Sequence, residues 1–435
     1  MENLYEKYKE CGGVVTTDSR AVKGGEMFFA LKGENFDGNE YALSALYAGA
    51  KYAVVCKGTA AAASGVEGIV VVEETLLSLK ALANYHRNHT FVDGKRLPVI
   101  GLTGTNGKTT TKELIKAVLS SQFNVTATEG NLNNEIGVPL SLLKMNSDTQ
   151  IAVIEMGASH PGDIKSLVNV AEPDYGLITN VGKAHLAGFG SLDGVKATKG
   201  ELYDFIKEHD GKIFLNVGDR TLLEMAAKRA LPFIPYGLRE NSAEALPSSE
   251  ESPFLTISMG ENEIHTHLVG EYNVINVLAA LAVGEYFGIA RSRCIEAVEN
   301  YIPSNHRSQL VRTAQNTLIV DAYNANPSSM NLTLDNFLKL KASHKIALLA
   351  DMGEIGADSQ AEHRTIVRRL VGEKLPAFLV GEEFRTASAA EGADIPCFAS
   401  ASELCKYLRA NPISGALILI KGSHYTRMET LVGEL

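Results

Sequence analysis

Between residues 98 and 119 the chain passes from a short apolar run, Pro98-Val-Ile-Gly-Leu, through Thr103-Gly-Thr-Asn-Gly-Lys108-Thr109-Thr110. It then enters a segment that places Leu114, Ile115, Val118 and Leu119 on one helical face. No other feature constrains the fold as much, because it predicts a strand, a tight glycine-rich loop and a helix in immediate succession. In such a turn backbone N–H groups can approach phosphate oxygens, and the helix N-terminus adds positive partial charge. Gly104, Thr105, Asn106, Gly107, Lys108, Thr109 and Thr110 are therefore the candidate nucleotide-binding set. Lys108 would reach the terminal phosphates, and the Thr109 hydroxyl would ligate Mg²⁺. The usual spacing has glycine where Leu102 stands, so the pattern departs at one position. The strand–loop–helix context carries the assignment against a bland turn with an incidental lysine.

The pattern around this loop predicts an α/β chain. Apolar runs at 124–128, 151–156, 175–181 and 212–217 alternate with helical stretches, as in a doubly wound parallel sheet, and 271–289 reads as a long Ala/Val-rich helix. Before residue 97 the pattern is mixed, with strand-like runs at 26–31 and 52–56, an alanine-rich helix at 41–50 and a polar connection at 88–96. After Pro303 a second alternation starts. Its runs at 317–323, 345–351, 377–381 and 416–420 are separated by helical patterns near 328–340, 360–374 and 402–410. Three domains are expected: 1–96, 97–303 and 304–435. The Ser/Glu/Pro-rich stretch 241–253 reads as a surface loop.

Composition removes several function classes. A net charge of -10, from 41 basic against 51 acidic side chains, lacks the basic footprint of a nucleic-acid binder. No segment approaches the roughly 20 apolar residues of a membrane span, and the N-terminus lacks the apolar core of a signal peptide. The five cysteines are dispersed and form no CxxC pair, which fits a reducing compartment; a cytoplasmic monomer is expected. The His86/His89 and His265/His267 pairs have no nearby cysteines and read as surface histidines, not zinc ligands.

Thr103-Gly-Thr-Asn-Gly-Lys-Thr-Thr110 resembles the signature of the Mur ligase family and its relative, folylpolyglutamate synthase. Further segments match in the family's order: Thr128-Glu-Gly-Asn-Leu-Asn-Asn-Glu-Ile-Gly, Glu155-Met-Gly-Ala-Ser, Asn180-Val-Gly-Lys-Ala-His185 and Lys199-Gly-Glu201. They continue with Asn273-Val-Ile-Asn276, Asn305-His-Arg307-Ser-Gln, Asp321-Ala-Tyr-Asn-Ala-Asn-Pro327, Asp351-Met-Gly-Glu354 and Lys421-Gly-Ser423. The resemblance spans nearly the whole chain. It implies a small N-terminal UDP-binding α/β domain, a central P-loop parallel-sheet domain and a C-terminal Rossmann-like domain. The Asp-x-Tyr-Asn-Ala-Asn-Pro segment is most similar to the branch that adds D-alanyl-D-alanine to UDP-N-acetylmuramoyl-tripeptide, with ATP as co-substrate.

The resemblance also implies roles. Lys108, Glu155, His185 and Lys199 would be catalytic. Thr109, Glu155, His185 and a carbamylated Lys199 would hold two Mg²⁺ ions. Asn276, Arg307, Asp321, Tyr323 and Asn324 would contact ATP. Ser19, Arg20 and Lys32 would meet the UDP moiety, Asn133 and Asn134 the muramyl peptide, and Glu354 and His363 the dipeptide. Each residue has a plainer reading: a loop histidine for His185, a solvated helix lysine for Lys199, an exposed helix position for Asn276, a strand-end turn for Asp321, and a turn cap for Asn133 and Asn134. Tyr272 stands where the family often has histidine, which bears on contacts to adenine. Other readings remain open: a different amide ligase of the family, a folylpolyglutamate synthase-like enzyme, or a non-catalytic nucleotide-binding relative.

Overall fold

The computed structural model describes all residues except 249–252, 304–306 and 308. Asn305, His306 and Ser308 of the Asn-His-Arg-Ser-Gln segment therefore lie outside the described residues, as do residues 249–252 of the expected 241–253 loop. The chain is α/β and builds its main sheets from parallel strands. The N-terminal sheet runs Val15–Thr16, Met27–Phe29, Tyr52–Cys56 and Ile69–Val72 in sequence order, all parallel.

The central sheet has the spatial order Phe233–Tyr236, Lys212–Asn216, Tyr175–Ile178, Val99–Thr103, Ile151–Glu155 and Val125–Ala127. From Val99–Thr103 the chain first runs outward to the Val125–Ala127 edge and returns beside its starting strand. It then crosses to the other side. The order reverses at Val99–Thr103, and such a switch point opens a crevice at the carboxyl ends of the strands. The phosphate loop and Glu155 both lie at those ends.

Two helices fix the loop from behind. Lys108–Ser120 buries Leu114, Ile115, Val118 and Leu119, the face its spacing predicts. Asn273–Tyr286 packs beside it, apolar nearly all round. A Cβ on Gly284 would lie 2.4 Å from Val118 Cγ1, so glycine there allows the two helices to approach closely.

The C-terminal sheet has an antiparallel edge, Gln309–Arg312, followed by parallel Thr317–Asp321, Leu417–Lys421, Lys345–Ala350, Ala377–Val380 and Cys397–Phe398. The seam before the central sheet is closed by Arg87, fully buried on helix Thr75–Asn88. It donates to the carbonyls of Leu97 (2.7 Å), Ala171 (3.0 Å) and Glu172 (3.1 Å) and to Asp174 Oδ2 (2.7 Å). A buried guanidinium is tolerable because its donors are spent on backbone and a carboxylate.

Two local expectations change. The stretch read as a 241–253 loop begins with strand Ala243–Ala245, which pairs antiparallel with Phe254–Met259 and, through it, with Asn262–Val269. Leu255, Ile257 and Met259 point inward while Thr256 and Ser258 point out, a period-two pattern just past the polar run. The 88–96 connection is the end of a helix followed by a hairpin, Phe91–Val92 with Lys95–Arg96. Among the described residues no helix is long and apolar enough to cross a membrane.

Candidate active site

A cleft of about 720 Å³ opens where the central and C-terminal sheets face each other. Its floor is the phosphate loop. Gly104 has φ +148°, and a Cβ there would sit 2.0 Å from Thr179 Oγ1, so only glycine fits. Gly107 (φ +77°) precedes the helix, with Asn276 2.9 Å from where its Cβ would be. The loop is braced by Asn180: Thr105 N–H donates to its carbonyl (3.0 Å) and Asn106 N–H to its Oδ1 (3.0 Å). Lys108 Nζ donates to the carbonyls of Gly104 (2.9 Å) and Thr105 (3.0 Å). Desolvation of the ammonium end pulls its pKa down, Glu155 opposing and Arg307 assisting.

Glu155 ends the neighbouring strand and is fully buried. Its Oε1 accepts from Thr109 Oγ1 (3.2 Å) and Asn133 Nδ2 (2.8 Å), while Oε2 is buried without a hydrogen-bond partner among the described residues. An orphaned carboxylate oxygen costs about 1–3 kcal/mol unless a ligand meets it. The Thr109/Glu155 oxygen pair at the helix N-terminus suits Mg²⁺, which takes one or two protein oxygens and completes its shell with water and phosphate. Among the described residues no group of three or more His, Cys, Asp or Glu side chains could hold a metal ion alone. Asn134 does what the plainer reading expected: its Oδ1 caps the N–H groups of Ile136 (3.2 Å) and Gly137 (2.9 Å).

His185 adopts φ +50° at the start of the short helix Leu186–Phe189, and its Nδ1 pairs with Glu354 across the cleft. Glu354, also left-handed at φ +59°, has its carboxyl pKa lowered chiefly by that contact. Lys199 lies on helix Leu192–Glu208, 2% exposed, its Nζ 5.7 Å from the centre of the Phe189 ring. Among the described residues no hydrogen-bond or ion-pair partner meets it. Burial first, and then the charge of Lys108, pull its pKa to about 7. Both the solvated-lysine and exposed-Asn276 readings are overturned: Asn276 is buried, accepting from Thr111 Oγ1 (3.0 Å) and donating to Asn273 Oδ1 (2.9 Å).

The C-terminal wall carries Arg307, Asp321, Tyr323 and Asn324. The Arg307 guanidinium lies 3.8 Å over the Tyr323 ring, which stacks at 5.4 Å on His424. Asp321 and Lys421 end adjacent parallel strands in register, and Lys421 Nζ donates to Asp321 Oδ2 (2.5 Å) and to the Asn324 carbonyl (3.2 Å). Asn326 caps helix Pro327–Lys339 with Oδ1 and reaches Asn106 Oδ1 with Nδ2 (2.9 Å), so the C-terminal lobe touches the phosphate loop directly. Lys183 adds a second tie, N–H to Ser328 Oγ (3.1 Å) and Nζ to Glu362 (2.9 Å). Asn326 and Lys421 are missing from the sequence-derived site set. Both sit in quoted segments, and their position directly after a predicted strand was the available signal.

Outside the phosphate loop, five expected site residues do not line this cleft. Ser19, Arg20 and Lys32 follow the first two strands of the N-terminal sheet; Arg20 is exposed and forks onto Asp18 (2.8 and 2.9 Å), and Lys32 lies 3.8 Å from Asp37. His363 corrects the reading that put it beside the dipeptide. It is fully buried, accepting Met352 N–H at Nε2 (3.0 Å) and donating from Nδ1 to Ser359 O (2.7 Å), so both ring nitrogens are spent within its own domain. Lys199 lies behind the cleft lining, not in it.

Three family descriptions match the chain: the Mur ligase family catalytic domain over residues 13–86, the Mur ligase middle domain over 102–284, and the Mur ligase glutamate ligase domain over 306–424. A UDP-N-acetylmuramoyl-tripeptide–D-alanyl-D-alanine ligase of Bacillus subtilis is 34% identical, over 97% of this chain and 92% of its own length. Among solved structures, MurF from Acinetobacter baumannii aligns with a TM-score of 0.83 at 30% identity, covering 99% of this chain and 97% of that one. The MurF ligase from Thermotoga maritima in complex with ADP aligns at 0.82 with 25% identity, covering 97% and 96%.

Proposed function

The chain belongs to the Mur ligase family, and we propose that it joins D-alanyl-D-alanine to UDP-N-acetylmuramoyl-tripeptide at the expense of ATP. The observation that carries this reading is the buried, half-satisfied Glu155 carboxylate beside the Thr109 hydroxyl, at the mouth of a phosphate loop that the C-terminal lobe contacts. A site built around phosphoryl transfer between two lobes fits an enzyme that activates one substrate and admits a second.

The tripeptide carboxylate is a poor electrophile. One of its oxygens attacks the γ-phosphorus and ADP leaves, giving an acyl phosphate. The dipeptide ammonium gives one proton to solvent and its amine attacks the acyl carbon; the C–O bond breaks, phosphate departs with that carboxylate oxygen, and the nitrogen's second proton passes to phosphate or solvent as the amide forms. Lys108 and the loop N–H groups stabilise charge gathering on the transferred phosphoryl group. Thr109 and Glu155 would hold one Mg²⁺, and His185 with a carbamate on Lys199 a second. Such ions, when bound, neutralise phosphate charge. An amine with its pKa near 7 is about half unprotonated at neutral pH and so able to capture carbon dioxide. Arg307 and Tyr323 offer a flat cationic and aromatic surface to the nucleotide, and Asp321 and Asn324 its polar rim. Asn133 and Asn134 would face the muramyl peptide, and Glu354 the incoming ammonium. Residues 1–96, with Ser19, Arg20 and Lys32, would hold the UDP end, 97–303 the ATP, and 304–435 the closing lobe. Soluble nucleotide substrates fit a cytoplasmic location.

The test uses tripeptide labelled with ¹⁸O in its terminal carboxylate. One labelled oxygen should appear in inorganic phosphate for each ligation, and sustained ADP release should require the dipeptide. Unlabelled phosphate would sink the acyl-phosphate route. ADP release indifferent to the dipeptide would favour a kinase.

A further inference from the structure

Lys112 is a fully buried lysine on the phosphate-loop helix, one turn beyond Lys108. A buried ammonium is costly unless its donors are met. Its Nζ donates to the carbonyl of Thr128 at 2.5 Å and lies 2.6 Å from Glu113 Oε1. Thr128 is itself buried and stands where the chain leaves the edge strand Val125–Ala127 for the loop that carries Asn133 and Asn134. Thr128 N–H still pairs with Val153 O (3.0 Å), but the ladder between the two strands ends there. The next inward donor on the central strand, Glu155 N–H, is met by a side chain instead: Thr128 Oγ1, at 3.0 Å.

We propose that Lys112 and Thr128 are positioning residues for Glu155. They clamp the root of the 128–136 loop to the phosphate-loop helix, so that the carboxylate presents only Oε2 to a magnesium–nucleotide ligand. Thr128 holds the Glu155 backbone, Asn133 from the same loop and Thr109 from the helix hold Oε1, and Lys112 ties the two sources together. The one oxygen left without a partner is then fixed in direction as well as in number. The clamp also couples the two substrates, because the loop it anchors is the one assigned to the muramyl peptide. This inference rests on the Mg²⁺ reading of Thr109 and Glu155.

Thermal shift of the purified full chain with ADP, with and without MgCl₂, separates the two claims. Wild type should gain more from ADP with magnesium than from ADP alone. Absence of that increment in wild type would remove the metal reading and this inference with it. Given the increment, Thr128→Val, close in shape to threonine but without its hydroxyl, should lose most of it while its ligand-free melting point stays near wild type. Thr128→Ser should restore it. In turnover, Thr128→Val should lower kcat about 10–100-fold, the usual cost of losing a group that orients a metal ligand, and raise the Mg²⁺ concentration for half activity; the KM for the dipeptide should stay put. Lys112→Met supplies the second arm if Thr128→Val does not fold, with the same signature at smaller size. A full magnesium increment in folded Thr128→Val, or in Lys112→Met where Thr128→Val does not fold, overturns the proposal.

Discussion

The central and C-terminal sheets are both open parallel sheets with polar residues at the carboxyl ends of their strands, yet they treat those residues in opposite ways. At the carboxyl ends of the C-terminal sheet's parallel strands, Asp321, Asp351 and the nearby His363 are met. Asp321 takes Lys421 and Thr333, Asp351 accepts the N–H groups of Glu383 (3.1 Å) and Phe384 (2.9 Å), and His363 uses both ring nitrogens. Among the described residues of the central domain, Glu155 Oε2 is buried and unmet, and Lys199 on the adjoining helix is buried with no partner but an aromatic ring. Leaving such groups unsatisfied costs stability that the fold recovers only when a ligand arrives. The central sheet thus holds buried groups that await a ligand, whereas Asp321, Asp351 and His363 of the C-terminal sheet are spent within their own domain.

The strongest way to break this contrast is to remove charge from the central sheet. Lys108→Ala is expected to lower kcat by about 10²–10³-fold, comparable to losing a preorganised transition-state donor, with an unchanged circular-dichroism melt. Near-normal ligation would remove the phosphate loop from the mechanism.

Lys199→Met should also be nearly inactive, with partial rescue by a short-chain carboxylic acid, but it should melt higher than the parent at pH 7. The sign follows from the depressed pKa. Between about 7 and the ordinary 10.5 the unfolded chain binds the proton that the folded chain lacks, so this residue makes stability rise with pH across that window. The penalty is complete below about 7. Melting points from pH 7 to 10 in carbon-dioxide-free buffer should show the slope in wild type and a flatter one in Lys199→Met.

The C-terminal sheet should respond in stability. Asp321→Ala leaves the Lys421 ammonium, 1% exposed, without its carboxylate and should cost about 3–5 kcal/mol in urea denaturation. A smaller loss, about 1–3 kcal/mol, is expected for His363→Ala, which strands the Met352 N–H. The KM for the dipeptide should not change in that variant; a raised KM would return His363 to the substrate side.

Much of this organisation was legible beforehand. The phosphate loop declares itself because glycine, lysine and threonine spacing encodes a local turn, and the strands before and after it are continuous apolar runs. The antiparallel strands Phe254–Met259 and Asn262–Val269 were not read, because short alternating segments between polar stretches carry a weak signal. The site divides in the same way. Glu155 could be named as a strand-end carboxylate, but not the fact that only one of its oxygens is spoken for.

By itself, then, the sequence determined the local units: a glycine-rich loop between strand and helix, two alternating α/β halves, and polar residues waiting at strand ends. These follow from periodicity and backbone preference, which act over a few residues. Tertiary structure alone decided which polar residues are satisfied. His363 and Asn134 turned inward to cap backbone, Asn326 reached 220 positions back to Asn106, and Lys199 was left in an apolar wall with its proton loosened. Burial and partner choice depend on atoms distant in the chain, and it is burial without a partner that makes a side chain reactive.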